Sequence, residues 1–286
     1  MTRHRRSAAV LALFLGLSPA VGLAQTPAPT ATQVSVDTVQ LTGPEGRTID
    51  VAVFPAADER AVVVFSHGLG AEPRAYQRLI ASWTEAGFTI VAPLHVDSQF
   101  HPRRAEFDGR AAFGARLADL ASTRGFVKQA YAGKPMVAAG HSYGTLMSLI
   151  AAGAVTPAGS MADPAVKAVI GLSTPGEIPG LVTPDTYAAV SVPTLIVTGD
   201  ADLVPGYVTD WHAHRAAFDR SAAGGKMLLI YEGGDHSLVR DADAEDFDLL
   251  ARATTDFIAA HALDDAEAQA RLTALTAPTG VAIERR

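Results

Sequence analysis

Met136-Val137-Ala138-Ala139-Gly140-His141-Ser142-Tyr143-Gly144-Thr145-Leu146-Met147-Ser148-Leu149-Ile150-Ala151-Ala152 is the stretch whose reading decides the fold. Its first four residues form a short apolar run of the kind that makes a buried strand. Leu146 to Ala152 continues as a helix. Between them lies Gly-x-Ser-x-Gly, and the strand–turn–helix context is what a sharp turn carrying an exposed nucleophilic serine requires. Ser142 is therefore the candidate nucleophile. Positions 140 and 144 must be small, because side chains there would collide with the neighbouring strand and helix while the serine is held in a strained conformation.

Outward from this turn, Ala61-Val62-Val63-Val64-Phe65, Phe88-Thr89-Ile90-Val91, Val166 to Leu172, Thr194 to Val197 and Met227 to Tyr231 are further short continuous apolar runs. They read as strands buried on both faces. Val34 to Val39 and Thr48 to Phe54 alternate instead, and with the Gly43-Pro44-Glu45-Gly46 turn between them they suggest an antiparallel edge. Helical spacing fills the intervals, notably Tyr76 to Trp83, Gly109 to Ala130 and Ala244 to Ala262, the last with Phe247, Leu250, Ala251, Phe257 and Ile258 on one side and Thr254 as the single polar member. Alternating strands and helices predict an α/β fold: a mostly parallel central sheet with an antiparallel edge and helices on both faces. Ser173 to Ser191, where a cap domain could be inserted, is short and rich in Pro and Gly, so we expect a lid loop, no large cap, and an open site. The residues after Asp264 carry another amphipathic piece and a Pro-Thr-Gly turn without chemical signal.

The N-terminus predicts export. Thr2-Arg3-His4-Arg5-Arg6 is basic, Ala8 to Leu17 is apolar, and Gly22-Leu23-Ala24 is a small-x-small site, which together read as a secretory signal over residues 1–24. The apolar stretch falls short of the ~20 residues a spanning helix needs, so no stable membrane anchor is expected after cleavage. Residues 25–33 read as a flexible leader, and residues 34–286 as a single domain with one sizeable core. The chain has no Cys, which removes thiol catalysis and Cys-metal sites and leaves stability to the core. Losing Arg3, Arg5 and Arg6 with the signal takes the formal charge from −7 to −10. An acidic protein of this kind is not expected to bind nucleic acid.

A serine hydroxyl is a poor nucleophile at neutral pH, so a base and a group that fixes the base's tautomer should accompany Ser142. Thr198-Gly199-Asp200-Ala201-Asp202-Leu203 follows a buried strand and offers two carboxylates. Glu232-Gly233-Gly234-Asp235-His236-Ser237-Leu238 follows the last buried strand and offers a histidine on a Gly-rich loop. Both fall at strand carboxyl ends, giving the chain order Ser…Asp…His. Acyl transfer would also need backbone donors for the developing oxyanion, and the amide of Tyr143, at a helix N-terminus just after the serine, is one.

With these residues in hand, the chain resembles the α/β-hydrolase superfamily over roughly Arg47 to Ala262: Gly140 to Gly144, Gly199 to Asp202 and Gly233 to Leu238 match three family motifs in order. Phe65-Ser66-His67-Gly68-Leu69-Gly70 is similar to a block in bacterial esterases of the platelet-activating-factor acetylhydrolase and dienelactone-hydrolase-like branch. The resemblance implies that Asp202, three residues after Gly199, is the acid and Asp200 a turn residue. It implies that His236 is the base and that the Leu69 amide is the second oxyanion donor. His67 and His141 stand where the family uses structural histidines. His212 and His214, in a helical segment, read as ordinary satisfied histidines, whereas His95 and His101 are placed where a substrate could touch them. Thr145 replaces a glycine common in the family. Polyester hydrolases usually carry Met where Tyr143 stands, and dienelactone hydrolases use the Cys this chain lacks.

The expected activity is thus an exported, serine-dependent hydrolase of carboxylic esters working through an acyl-enzyme, with no cofactor or metal implied. Peptidase, amidase or polyester hydrolysis on the same triad are the alternatives, and a binding protein on a dead hydrolase fold is a third class. No acidic or basic cluster for anchoring a peptide terminus stands out in the sequence. Candidate pocket walls are Leu69, Phe100, Tyr143, Tyr187, Leu203 and Leu238, and the short lid predicts small soluble ester substrates.

Overall fold

Continuous apolar runs become strands here because each is covered on both sides. In the computed structural model, which describes Val34–Arg286, the strands in chain order begin with β1 (Asp37–Thr42), β2 (Thr48–Phe54), β3 (Ala61–Ser66) and β4 (Phe88–Pro93). Next come β5 (Met136–His141), a two-residue ribbon of β6 (Val155–Thr156) with β7 (Gly159–Ser160), and β8 (Val166–Leu172). The series ends with β9 (Thr194–Gly199), β10 (Lys226–Tyr231) and β11 (Val281–Arg285). Every residue of β3, β4, β5, β9 and β10 is buried. The signal and leader expected over residues 1–33 lie outside the described residues.

Nine strands form one sheet in the order β1-β2-β4-β3-β5-β8-β9-β10-β11. The run from β4 to β10 is parallel, while β1, β2 and β11 are attached antiparallel. One antiparallel edge was expected, and β1 lies three residues later than its alternation suggested. The second, β11, was not anticipated. It buries only Val281 well, so its five residues carry little of the hydrophobic pattern that marks a strand.

Helices cover both faces. On one side α1 (Gln77–Glu85) and α6 (Ala244–Ala262) pack with Ala61, Val63 and Phe65 of β3. On the other, α2 (Gly109–Ala130), α3 (Tyr143–Ala151) and the short α4 (Ala216–Arg220) pack with Val62 and Val64, the alternate residues of the same strand. Two smaller helices, α5 (Leu238–Asp241) and α7 (Ala266–Ala274), complete the set. Asp108 and Asp243 accept amide protons at the N-termini of α2 and α6. Thr254, the polar member of the α6 stripe, accepts the indole proton of buried Trp83 at 3.0 Å and so joins α6 to α1.

Parallel register brings the strand carboxyl ends to one edge. Ser66 pairs with Gly140, His141 with Leu172, Leu172 with Val197, and Gly199 with Tyr231. The loops that follow these residues must therefore meet above that edge, which is where ligands bind in open α/β sheets.

Thr145 ties this edge together. Its hydroxyl donates to the Gly140 carbonyl at 2.8 Å and accepts the Leu172 amide at 3.1 Å, pinning α3 and β5 to β8. Room for it comes from Gly171, where an added Cβ would lie 2.5 Å from the Thr145 methyl carbon. Gly171→Ala should therefore cost about 1–3 kcal/mol through overpacking, and Thr145→Ser in the same chain, which deletes that methyl and keeps the hydroxyl, should recover more than half of the loss. Urea unfolding of the two single variants and the double variant measures it. Strictly additive effects would contradict the contact.

Candidate active site

Ser142 sits at the joint between β5 and α3 with φ 53° and ψ −119°, a conformation that costs a non-glycine residue about 1–3 kcal/mol. The surrounding bonds leave it no alternative: its amide donates to the Leu172 carbonyl at 2.8 Å and its carbonyl accepts the Thr145 amide at 2.9 Å. A Cβ on Gly144 would fall 1.8 Å from the Ser66 carbonyl oxygen, and one on Gly140 would fall 2.3 Å from the Gly144 carbonyl. Only small residues let the turn close this tightly. The serine hydroxyl lines a cleft and makes no hydrogen bond among the described residues.

His236 lines the same cleft and donates from Nδ1 to Asp202 Oδ1 at 2.8 Å. That bond fixes the proton on Nδ1 and leaves the Nε2 lone pair unclaimed among the described residues. Asp202 is wholly buried, and its other oxygen accepts from Ser173 Oγ and, at 2.8 Å, from Thr198 Oγ1. Burial opposes ionisation of Asp202, but the protons donated by His214, His236 and Ser173 outweigh it and hold the carboxyl well below the usual range. Asp200, by contrast, is exposed and accepts the Gly233 amide at 2.6 Å, bracing the Asp loop against the His loop. Between these loops Gly199 approaches Gly234 so closely that a Cβ on it would lie 2.0 Å from the Gly234 carbonyl oxygen.

A second histidine shares the same oxygen of Asp202. His214 is fully buried, its Nδ1 meets the Thr174 carbonyl, and its Nε2 meets the Asp202 carbonyl at 2.8 Å and Asp202 Oδ1 at 3.1 Å. Carbonyl oxygens only accept, so both ring nitrogens must donate. His214 is therefore an imidazolium paired with the Asp202 carboxylate. Burial works against that charge, and the bonds to Asp202 and Thr174 overcome it, raising the pKa. Asp202, His214 and His236 do bring ligand-type atoms within 4.8 Å of one another. With both nitrogens protonated, however, His214 has no lone pair to offer a cation, and the cluster is a hydrogen-bonded array. Its sequence context, a helical segment without glycine, gave no sign of this.

On the opposite wall, the loop from His67 to Gly70 is shaped by Arg116, a fully buried residue of α2. Its guanidinium forms a two-pronged pair with Asp97 at 2.8 and 2.9 Å and donates to the His67 and Gly68 carbonyls at 2.8 and 3.1 Å. Across a planar trans peptide, a carbonyl held on one side turns the next amide to the other. Pinning the Gly68 carbonyl thus turns the Leu69 N–H away from Arg116, and that N–H, like the N–H of Tyr143, has no partner among the described residues. Leu69, Ser142 and Tyr143 all line the cleft. Arg116 also lies 4.7 Å from the centre of the Tyr143 ring.

The remaining histidines of the site are structural. His141 Nε2 donates to the His236 carbonyl at 3.0 Å and Nδ1 accepts from Tyr76, whose hydroxyl in turn accepts the Gly68 amide at 3.1 Å. These bonds join the Leu69 loop to the His236 loop, and burial pushes the His141 pKa down to about 3. His67 donates from Nδ1 to the Gly68 carbonyl at 2.8 Å and accepts the His95 amide. His95 is buried between Ser66 and Asp119, and neither it nor His101 lines the cleft, so their placement against substrate is not what the fold gives them.

The cleft encloses about 1440 Å³, more than a small ester requires. Its walls differ from those expected. Tyr187 is fully buried in the core beneath the sheet's α3 side, because the second half of the lid segment folds down onto the end of α3 through the Val155–Thr186 bond. Leu238 turns into the opposite core with α6, while Leu203 and Phe100 are exposed outside the cleft. Apolar walls come instead from Phe107, Phe113, Ile178, Leu181 and Val208. The first half of the Ser173–Ser191 loop does reach over the cleft.

Residues 57–178 match a family model described as serine aminopeptidase, S33, a span that holds Ser142 and the Leu69 loop but ends before Asp202. Among solved structures, the esterase domain of a Rhodothermus marinus protein is similar with a TM-score of 0.58 and 15% identity, covering 80% of this chain and 99% of that one. A puromycin-hydrolysing peptidase of Mycobacterium tuberculosis is similar with a TM-score of 0.59 and 17% identity over 84% of this chain. The match spans only 42% of that peptidase. Identities this low speak for the fold. No curated protein sequence matches the chain significantly.

The imidazolium at His214 has a consequence for stability. Because its folded pKa is raised, its contribution is complete below the unfolded value of about 6.5 and is lost as pH climbs through the folded value. His214→Gln should be less stable than the parent by about 3–5 kcal/mol at pH 6, with a gap that narrows toward pH 10. Thermal unfolding across that range measures it, and a gap that stays constant or widens would contradict the charged state.

Proposed function

From its α/β-hydrolase fold and the match of residues 57–178 to a serine hydrolase family model, we propose that the chain is an exported serine hydrolase that cleaves carboxylic esters through an acyl-enzyme. The observation that carries this reading is the 2.8 Å bond from His236 Nδ1 to buried Asp202, which leaves Nε2 as a base facing the cleft that Ser142 lines. In the proposed reaction Ser142 Oγ attacks the ester carbonyl carbon as Nε2 takes its proton. The tetrahedral oxyanion is met by the Leu69 and Tyr143 amides. Collapse expels the alcohol, protonated by His236, and a water activated by the same nitrogen then attacks the acyl-enzyme and releases the acid. Asp202 holds the imidazole and stabilises its charged form throughout.

Peptide-bond cleavage is the rival, supported by the name of the matching family model and by the peptidase neighbour. An aminopeptidase needs a free carboxylate for the substrate ammonium. Asp97, Asp108 and Glu177, the carboxylates lining the cleft, are engaged by Arg116, by the α2 N-terminus and by Arg220. That favours esters. Export rests on the composition of residues 1–24, and among the described residues no helix is long and apolar enough to cross a membrane.

Ser142→Ala should abolish hydrolysis of 4-nitrophenyl acetate and block labelling by a fluorophosphonate. Asp202→Asn should lower kcat by about 10³–10⁴, the scale known for a misplaced imidazole tautomer, while Asp200→Asn changes it by less than about tenfold. Steady-state kinetics on the three variants decide the matter. Residual activity above a few per cent in Ser142→Ala, or equal losses at the two aspartates, would overturn the assignment.

A further inference from the structure

The charged residues around the cleft are unequally occupied. Of the lining carboxylates, Asp97 and Glu177 are held in ion pairs and Asp108 accepts the Ala111 amide, whereas the lining arginines Arg104, Arg110 and Arg240 form neither an ion pair nor a side-chain hydrogen bond among the described residues. Arg240 is the most constrained of them. It is half-buried on α5, four residues after His236, and its Nε is shielded from water without any hydrogen-bond partner. Because Nε is closed off by the protein, the two terminal guanidinium nitrogens, which have no hydrogen-bond partner among the described residues, are the donors that a ligand in the cleft can reach. Its charge is also near enough to act on Tyr76 and His141. Arg104 and Arg110 are near one another in sequence, and the fold brings Arg240 to the same cleft from 130 positions further on.

We propose that the cleft takes esters bearing an anionic group, with Arg240 as the residue that binds it and with Arg104 and Arg110 drawing it in. Arginine pairs with a carboxylate in a planar two-pronged arrangement, and a concave site lined by one sign of charge concentrates ligands of the other sign even on a protein of net charge −7. A cleft of about 1440 Å³ leaves room for such a group beyond the scissile bond. This rests on the ester reading above and narrows its substrate class. The anionic group could stand on the acyl or on the alcohol side, and the two placements are separable.

Two matched pairs test it: mono-4-nitrophenyl glutarate against 4-nitrophenyl valerate for the acyl side, and 4-acetoxybenzoate against its methyl ester for the alcohol side. In at least one pair the anionic member should show kcat/KM about tenfold or more above the neutral one, the scale of a charged hydrogen bond. Arg240→Gln should bring that ratio toward one, Arg240→Lys should keep part of it, and added salt should erode it. A parent ratio of one or less in both pairs, or a ratio that survives Arg240→Gln, would overturn the proposal. Calorimetry of benzoate and benzamide binding to the unaltered protein gives a readout that needs neither turnover nor a variant: benzoate alone should bind, and equal or absent binding of both counts against an anion site. Should no ester in either pair be hydrolysed, the ester reading fails, and the calorimetry still decides the anion site.

Discussion

One carboxylate held out of water sets the terms for this site. Removing the Asp202 charge from solvent costs several kcal/mol unless donors replace the lost hydration. Donors do so from four directions: His236, His214, Ser173 and Thr198. They arrive from the loop after β10, the segment before α4, the end of β8 and β9 itself. The parallel register of β8, β9 and β10 brings those four segments to one point. The imidazolium at His214 balances the charge, so what is buried is a neutral pair.

The same edge stores strain at Ser142 and spends rigidity to keep it. Close backbone approaches at Gly140 and Gly144, the Thr145 bridge to β8 and the paired amide and carbonyl of Ser142 leave the turn a single conformation. Across the cleft, Arg116 fixes the peptide planes of the Leu69 loop, and the Tyr76–His141 chain couples that loop to the backbone of His236. The Ser142 turn, the His236 loop and the Leu69 loop are thereby braced against one another rather than only against the sheet. A site organised this way needs little rearrangement when charge develops, which is the main source of electrostatic stabilisation in acyl transfer.

Much of this was legible in the sequence, for local reasons. Strands covered on both faces write continuous apolar runs, so β3, β4, β5, β9 and β10 stood out, whereas β11, at an edge with one well-buried side chain, did not. The turn at Ser142 and the loops carrying Asp202 and His236 are short motifs whose glycines and carboxyl-end positions state their geometry. Arg116, Tyr76 and His214 were invisible because their roles arise from contacts with Gly68, His141 and Thr174, residues 48, 65 and 40 positions away. The cleft walls failed for a related reason. Tyr187 looked like a lid residue by position, and the lid's second half instead packs into the core.

The central claim is that Ser142, His236 and the Leu69 and Tyr143 amides form one acyl-transfer site. A crystal structure of the protein after reaction with a small fluorophosphonate tests it most directly. The account predicts a covalent bond from Ser142 Oγ to phosphorus, one phosphoryl oxygen within hydrogen-bond distance of both amides, and His236 Nε2 facing the leaving-group position. Phosphorus on another residue, or an adduct on Ser142 whose oxygen points to solvent while both amides stay empty, would contradict it.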